Sequence, residues 1–282
     1  MMHLDERFIT HEGGRLRYLV GGAGPAILLC HGFIGAAENF EDWFGELLQR
    51  RTVIAPDLPG FGKSTPLRGR HTPAALARAA VAAAEDVGVD RYDLAGLCLG
   101  SSVAMSVMRL RPESAQRLIL QTPLLNPSLI RTRYHVQVAV MTSGIVWPAI
   151  VWLGHQRVVS DLYKRIMVEG PDVDPVAAQV NFDNQMRATP RAAREWLRDG
   201  LRCDEMALLR QTTHPVMIIA ARHDRLIDVP RVQRSLRMCD NVQLAVIEDA
   251  GHAWTAEMSA VQRRHVAAFL DGRPLEADAD AA

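Results

Sequence analysis

Short unbroken apolar runs, each ending on a turn or a polar residue, punctuate the first half of the chain. Ala26-Ile27-Leu28-Leu29-Cys30 runs into His31-Gly32, and Thr52-Val53-Ile54-Ala55 runs into Pro56-Asp57. Residues 92–97 lead straight to Cys98, and Leu118-Ile119-Leu120 follows. Runs of this length without polar alternation suit strands buried on both faces of a parallel sheet. Between them lie helical patterns at 37–49, 73–88 and 99–110. The second has Thr72 placed to cap it and Pro73 at its first position. Residues 6–20 read as two strands joined at Glu12-Gly13-Gly14.

The alternation stops near Leu124. From there to Arg210 the pattern is mostly helical. Strand character resumes at Val216–Ala220 and at Gln243–Ile247, with helices near 230–238 and 253–270. The expected fold is therefore α/β: a mostly parallel central sheet with helices on both faces. Residues 1–123 and 211–271 form its core, 124–210 form a helical cap inserted between two late strands, and 272–282 form a disordered tail.

Within the insertion, Val136–Gly154 is nearly all apolar. Gly144, Pro148 and Gln137 interrupt it, which argues against a membrane span and for a buried or substrate-facing helical segment. Trp147, Trp152 and Met141 read as packing inside that lid.

Composition adds mainly exclusions. The 282 residues fit one core with an insertion. Lys plus Arg equals Asp plus Glu at 32 each, so no global charge favours nucleic acid. The four cysteines, Cys30, Cys98, Cys203 and Cys239, lack the spacing of a zinc site or a disulfide framework. Gly60–Ser64 lacks the first glycine of a phosphate-binding loop. No cofactor or metal is indicated. Residues 1–7 carry no apolar signal segment, and with unpaired thiols the expectation is a cytoplasmic protein. Oligomeric state is left open.

The chemistry concentrates at Gly96-Leu97-Cys98-Leu99-Gly100, between a predicted strand and a predicted helix. Flanking glycines at this spacing clear room for a sharp strand-to-helix turn. The helix N-terminus behind residue 98 favours an anion there. A nucleophile needs a base, and the base needs an orienting carboxylate. His252 follows the last strand and Asp224 follows the strand at 216–220. All three then sit at the carboxyl ends of strands, where open α/β sheets bind ligands. Asp228 is the rival carboxylate, and Asp224 is preferred because it directly follows the strand.

These motifs, in the order nucleophile, acid, histidine, resemble the α/β-hydrolase superfamily across essentially the whole chain. His31-Gly32-Phe33 resembles its oxyanion loop, and Asp57–Ser64 resembles its turn after the next strand. The resemblance implies that the backbone N–H groups of Phe33 and Leu99 form an oxyanion hole. It implies that His31 braces the loop rather than transferring protons. Most members carry serine at the elbow. Cys98-Leu99-Gly100 resembles dienelactone hydrolases locally, whereas the loops and insertion resemble the lid-bearing esterase and epoxide-hydrolase branch. Epoxide hydrolase and dehalogenase activities need an attacking carboxylate, which Cys98 cannot supply.

The resulting expectation is a hydrolase of esters or thioesters acting through Cys98, His252 and Asp224 and a thioester acyl-enzyme. The partner is a small-molecule acyl substrate, and a lipophilic one suits the apolar insertion. Two alternatives stay open: an acyltransferase or condensing enzyme with a non-water acceptor, and an inactive binding scaffold.

Overall fold

In a β-strand successive side chains alternate between the two sheet faces. A strand with no polar residue must therefore be covered on both sides. The computed structural model, which describes residues 4–166, 175–252 and 256–273, shows this arrangement. Eight strands form one sheet: β1 (Leu4–His11), β2 (Gly14–Gly21), β3 (Ala26–Cys30), β4 (Thr52–Pro56), β5 (Tyr92–Leu97), β6 (Ala115–Gln121), β7 (Val216–Ala221) and β8 (Val242–Ile247). Their spatial order is β1-β2-β4-β3-β5-β6-β7-β8. β2 runs antiparallel to both of its neighbours, β1 and β4. The pairings from β4 through β3 to β8 are all parallel.

Alternation divides the core in two. Leu28, Leu94, Leu118, Leu120 and Ile218 join one cluster, and Ile27, Leu29, Ala95, Ile119 and Ile219 join the other. The first lies against α2 (Pro73–Val87) and α3 (Gly100–Leu110). The second lies against α1 (Glu41–Arg50) and α11 (Ala256–Leu270). α2 begins as its sequence predicts: the Thr72 side chain accepts a hydrogen bond from Ala75 N–H, and Gly88 ends the helix in the left-handed region. The predicted helix at 37–49 is a 3-10 turn at 37–40 followed by α1. The start of the helix predicted at 253–270 and nearly all of the predicted tail lie outside the described residues.

Between β6 and β7 lie α4 (Thr132–Met141), α5 (Trp147–Gly154), α6 (Arg157–Lys164), α7 (Pro175–Arg187), α8 (Pro190–Gly200) and α9 (Met206–Gln211). α10 (Val229–Leu236) follows β7. α8 presents Ala192, Trp196 and Gly200 on one face, four residues apart, and all three are buried. Trp196 stacks edge-on against His31 and Phe61, with centroids 6.1 and 5.1 Å away. Its indole N–H reaches Ser102 Oγ at 3.4 Å.

Of the expectation of a buried or substrate-facing segment at Val136–Gly154, the burial is corrected: only Val138 and Thr142 in it are buried. α5 contains no buried residue, and Ile145 before it is 93 % exposed. Trp147 is half-buried against the core, but Trp152 is 64 % exposed and packs no lid interior. The reason is helical geometry: α4 spends its inward face on Tyr134 and Val138, so Val136 and Val140 point the other way. Among the described residues no helix is long and apolar enough to cross a membrane.

Candidate active site

Residue 98 closes β5 in a conformation that side chains rarely adopt. Its φ is 49°, in the left-handed region. The turn is held by hydrogen bonds from Cys98 N–H to the Gln121 carbonyl (2.8 Å) and from Ser101 N–H to the Cys98 carbonyl (3.1 Å). The two glycines are explained by close approach. A Cβ at Gly96 would lie 2.7 Å from Ser101 Cα, and one at Gly100 would collide with the carbonyl oxygens of Cys30 and His31. The elbow thus seats against the end of β3. α8 covers its other side, where a Cβ on Gly200 would lie 2.6 Å from Leu99 Cδ1.

The structure brings the three candidate side chains into one line. His252 Nε2 lies 3.2 Å from Cys98 Sγ. His252 Nδ1 lies 2.8 Å from Asp224 Oδ2. The other Asp224 oxygen accepts from Leu226 N–H (2.7 Å) and Ile227 N–H (3.1 Å), so the carboxylate is fixed and buried. Asp228, the rival, is engaged elsewhere, since its side chain caps α10 by accepting from Arg231 N–H. Asp224 requires Nδ1 of His252 to carry a proton, which leaves Nε2 to face the sulfur.

Burial works against the charged form of His252. The Asp224 carboxylate and the Cys98 sulfur outweigh it and hold the imidazolium well above its ordinary value of 6.5. A raised folded value means that the protonated histidine stabilises the fold. That contribution is complete below pH 6.5 and is lost as pH rises through the folded value. The stability difference between the protein and a His252→Gln variant, measured by urea unfolding at pH 6, 7.5 and 9, should shrink as pH rises. A difference that grows would contradict the assignment.

The loop after β3 faces the elbow. A Cβ on Gly32 would lie 3.5 Å from Cys98 Cβ, so residues 32 and 98 are neighbours. Gly35 N–H bonds to the Gly32 carbonyl at 3.1 Å, and Ile34 takes φ 50°. Phe33 sits inside this tight turn and is half-buried. Leu99 is the cap residue at the start of α3. The two candidate N–H donors therefore belong to segments that meet at Cys98.

His31 anchors the loop. Its Nε2 accepts from Leu58 N–H at 2.9 Å, and Nδ1 bonds the Gly32 carbonyl at 2.9 Å. Burial pushes its proton affinity down, and a neutral ring satisfies both contacts. Asp57, following β4, accepts from Ala37 N–H (2.8 Å), Lys63 N–H (2.8 Å) and the Arg17 guanidinium.

Sequence reasoning missed two groups. Trp196 and Gly200 press the insertion onto the elbow, and their four-residue spacing with Ala192 was the available signal. Tyr134 is buried near Cys98 and Asp224. Burial first, then Cys98, Tyr163 and Asp224, push its phenol well above its ordinary value. Nothing local in the sequence of α4 marks it.

A strained residue at the carboxyl end of a central strand, answered by a histidine and a carboxylate from later strand ends, defines a class of α/β proteins built on a nucleophile elbow. The chain belongs to the α/β-hydrolase fold family, whose model matches residues 25–254. An uncharacterized protein of Mycobacterium tuberculosis is 38 % identical over 117 residues, 40 % of this chain and 33 % of that protein. The match thus spans about a third of that relative's length. A 2-hydroxymuconate semialdehyde hydrolase of a Pseudomonas strain is 27 % identical, covering 98 % of this chain and 95 % of the relative. Among solved structures, an esterase of Thermogutta terrifontis superposes with TM-score 0.79 at 22 % identity, covering 95 % of this chain and 98 % of that one. An N-acyl homoserine lactonase superposes with TM-score 0.76 at 19 % identity, covering 98 % and 99 %. At these identities the superpositions establish the fold.

Proposed function

We propose that the protein is a hydrolase of carboxylic thioesters and activated esters, with Cys98 as nucleophile, His252 as base and Asp224 as its orienting carboxylate. The observation that carries this reading is the continuous contact from Asp224 Oδ2 through both His252 nitrogens to Cys98 Sγ, at 2.8 and 3.2 Å. The esterase and hydrolase names among the relatives support hydrolysis in general.

In the proposed mechanism His252 Nε2 takes the Cys98 proton, and the resulting thiolate attacks the substrate carbonyl carbon. The carbonyl π electrons move to oxygen, where the Phe33 and Leu99 N–H groups stabilise the oxyanion. The intermediate collapses, the bond to the leaving group breaks, and His252 returns the proton to that group. Water then attacks the Cys98 thioester. Its proton passes to His252 and on to Cys98 as the acid departs. Asp224 stabilises the imidazolium throughout. The helices between β6 and β7 act as the cap over this site.

A thiolate leaves a tetrahedral intermediate more readily than an alkoxide. Simple alkyl esters therefore revert, whereas thioesters go forward. Turnover of an acyl-CoA is expected to exceed that of the matching ethyl ester, and equal rates would overturn the leaving-group argument for thioester preference. Intact-mass spectrometry with an acyl-CoA panel should reveal an acyl adduct on Cys98. Burial pushes Cys30 up to about 12 and Cys203 up to about 11, which keeps both thiols out of that reaction.

A further inference from the structure

An apolar helix normally turns its apolar stripe toward a core. Three consecutive helices here carry apolar residues on their outward sides as well. α4 exposes Val136 and Val140, α5 exposes Trp152, and α6 exposes Val158 and Leu162. Ile145, in the link between α4 and α5, is the most exposed of them. α5 carries no charged residue and buries none of its eight. An apolar surface of this extent calls for a partner.

The charge around the patch is as distinctive. The chain as a whole is neutral, yet it has no Asp or Glu from Ser114 to Ser160. Residues 131–166 hold five Lys or Arg against the single Asp161, which Arg157 pairs; Lys164 Nζ is buried, and Glu169, Asp172 and Asp174 follow in the sequence, so the basic character rests on the arginines. At one edge three arginines meet. The Arg133 guanidinium donates to the Arg225 carbonyl at 3.0 Å, and the Arg225 guanidinium donates to the Arg165 carbonyl at 3.3 Å and to that of Ile166. Arg133 and Arg165 are exposed and Arg225 is half-buried. Among the described residues none of the three has a carboxylate in salt-bridge contact.

We infer that the outward face of α4–α6 docks on an anionic lipid bilayer, with Ile145 and Trp152 entering the interface and Arg133, Arg165 and Arg225 meeting lipid phosphates. Apolar side chains with an exposed tryptophan gain by leaving water at the headgroup boundary. Arginine pairs with phosphate, and basic residues are drawn to anionic leaflets. No carboxylate on α4 or α5 opposes approach, and Asp161 on α6 is paired with Arg157. A second copy of this chain fits less well, because it would bring the same positive edges together. Docking does not depend on the Cys98 mechanism. It would place the cap, and the arginines beside the Asp224 loop, at a surface where lipophilic acyl compounds reside.

The test is co-sedimentation of the whole protein with large unilamellar vesicles of phosphatidylglycerol or of phosphatidylcholine. Binding is expected to phosphatidylglycerol, and to be roughly tenfold or more weaker on phosphatidylcholine and at high salt. Ile145→Asp with Trp152→Asp should weaken binding roughly tenfold or more. Arg133→Glu with Arg165→Glu should abolish the preference for phosphatidylglycerol. Because all four side chains are exposed, thermal midpoints should stay at that of the unaltered protein. His252→Ala should bind vesicles normally, which separates this inference from the catalytic one. Absence of binding to phosphatidylglycerol would overturn the inference, as would binding that the double aspartate variant leaves unchanged. A dimer in light scattering that the aspartate variant splits would assign the face to a second copy instead.

Discussion

Cys98→Ala is expected to lower kcat/KM on an acyl-CoA or other thioester by about four orders of magnitude or more. Alanine keeps the fold of the elbow but offers no pair of electrons to the carbonyl carbon. What remains is binding and the N–H groups of Phe33 and Leu99. His252→Ala should cost a similar amount, because the Sγ to Nε2 contact of 3.2 Å makes the two side chains one unit. The double variant should then be no worse than either single one, since members of such a unit are strongly non-additive. Cys98→Ser is the sharper comparison. It keeps a nucleophile but exchanges a good leaving group for a poor one, so the thioester-to-ester preference should fall. Steady-state kinetics on matched substrates reads all four variants. A Cys98→Ala enzyme retaining more than about a tenth of its activity would remove Cys98 from the chemistry.

Asp57→Ala is expected to cost about 3 to 5 kcal/mol of folding stability, the range for breaking a buried charge pair from one side. The Asp57 carboxylate is fully buried and Arg17 nearly so. Both guanidinium contacts from Arg17 Nη1 to Asp57 measure 3.1 Å. Removing the carboxylate also strands the Ala37 and Lys63 N–H groups. Arg17 keeps Glu6 and Glu38 as partners, which limits the loss on its own side. Urea unfolding measures the cost. Removing Arg17 as well, as Arg17→Met in the Asp57→Ala background, should add less than Arg17→Met alone, because the partners are coupled. A cost under about 1 kcal/mol would show that the network is dispensable. Activity should fall too. Asp57 holds the segment that follows the 31–36 loop, and the neighbouring Leu58 N–H holds His31.

The sequence by itself determined the sheet and the elbow. Two-sided burial leaves unbroken apolar runs such as Ile27–Cys30 and Val216–Ala220, and those runs are visible without coordinates. Glycines at 96 and 100 are demanded by backbone contacts within and beside the turn, so they too appear as local letters. The nomination of Cys98, Asp224 and His252 drew on strand ends, which are local as well. Only the tertiary structure decided which carboxylate meets the imidazole. Asp224 and Asp228 are four residues apart, and the choice depends on where the loop after β7 directs each one. It also decided the orientation of the insertion. An apolar helical stripe looks the same in sequence whether it faces a core or water. The inward places on α4 are filled by Tyr134 and Val138, so Val136 and Val140 were left outside, and α5 with Trp152 buries no residue at all. Periodicity records that a face is apolar; what lies opposite that face is a property of the assembled chain.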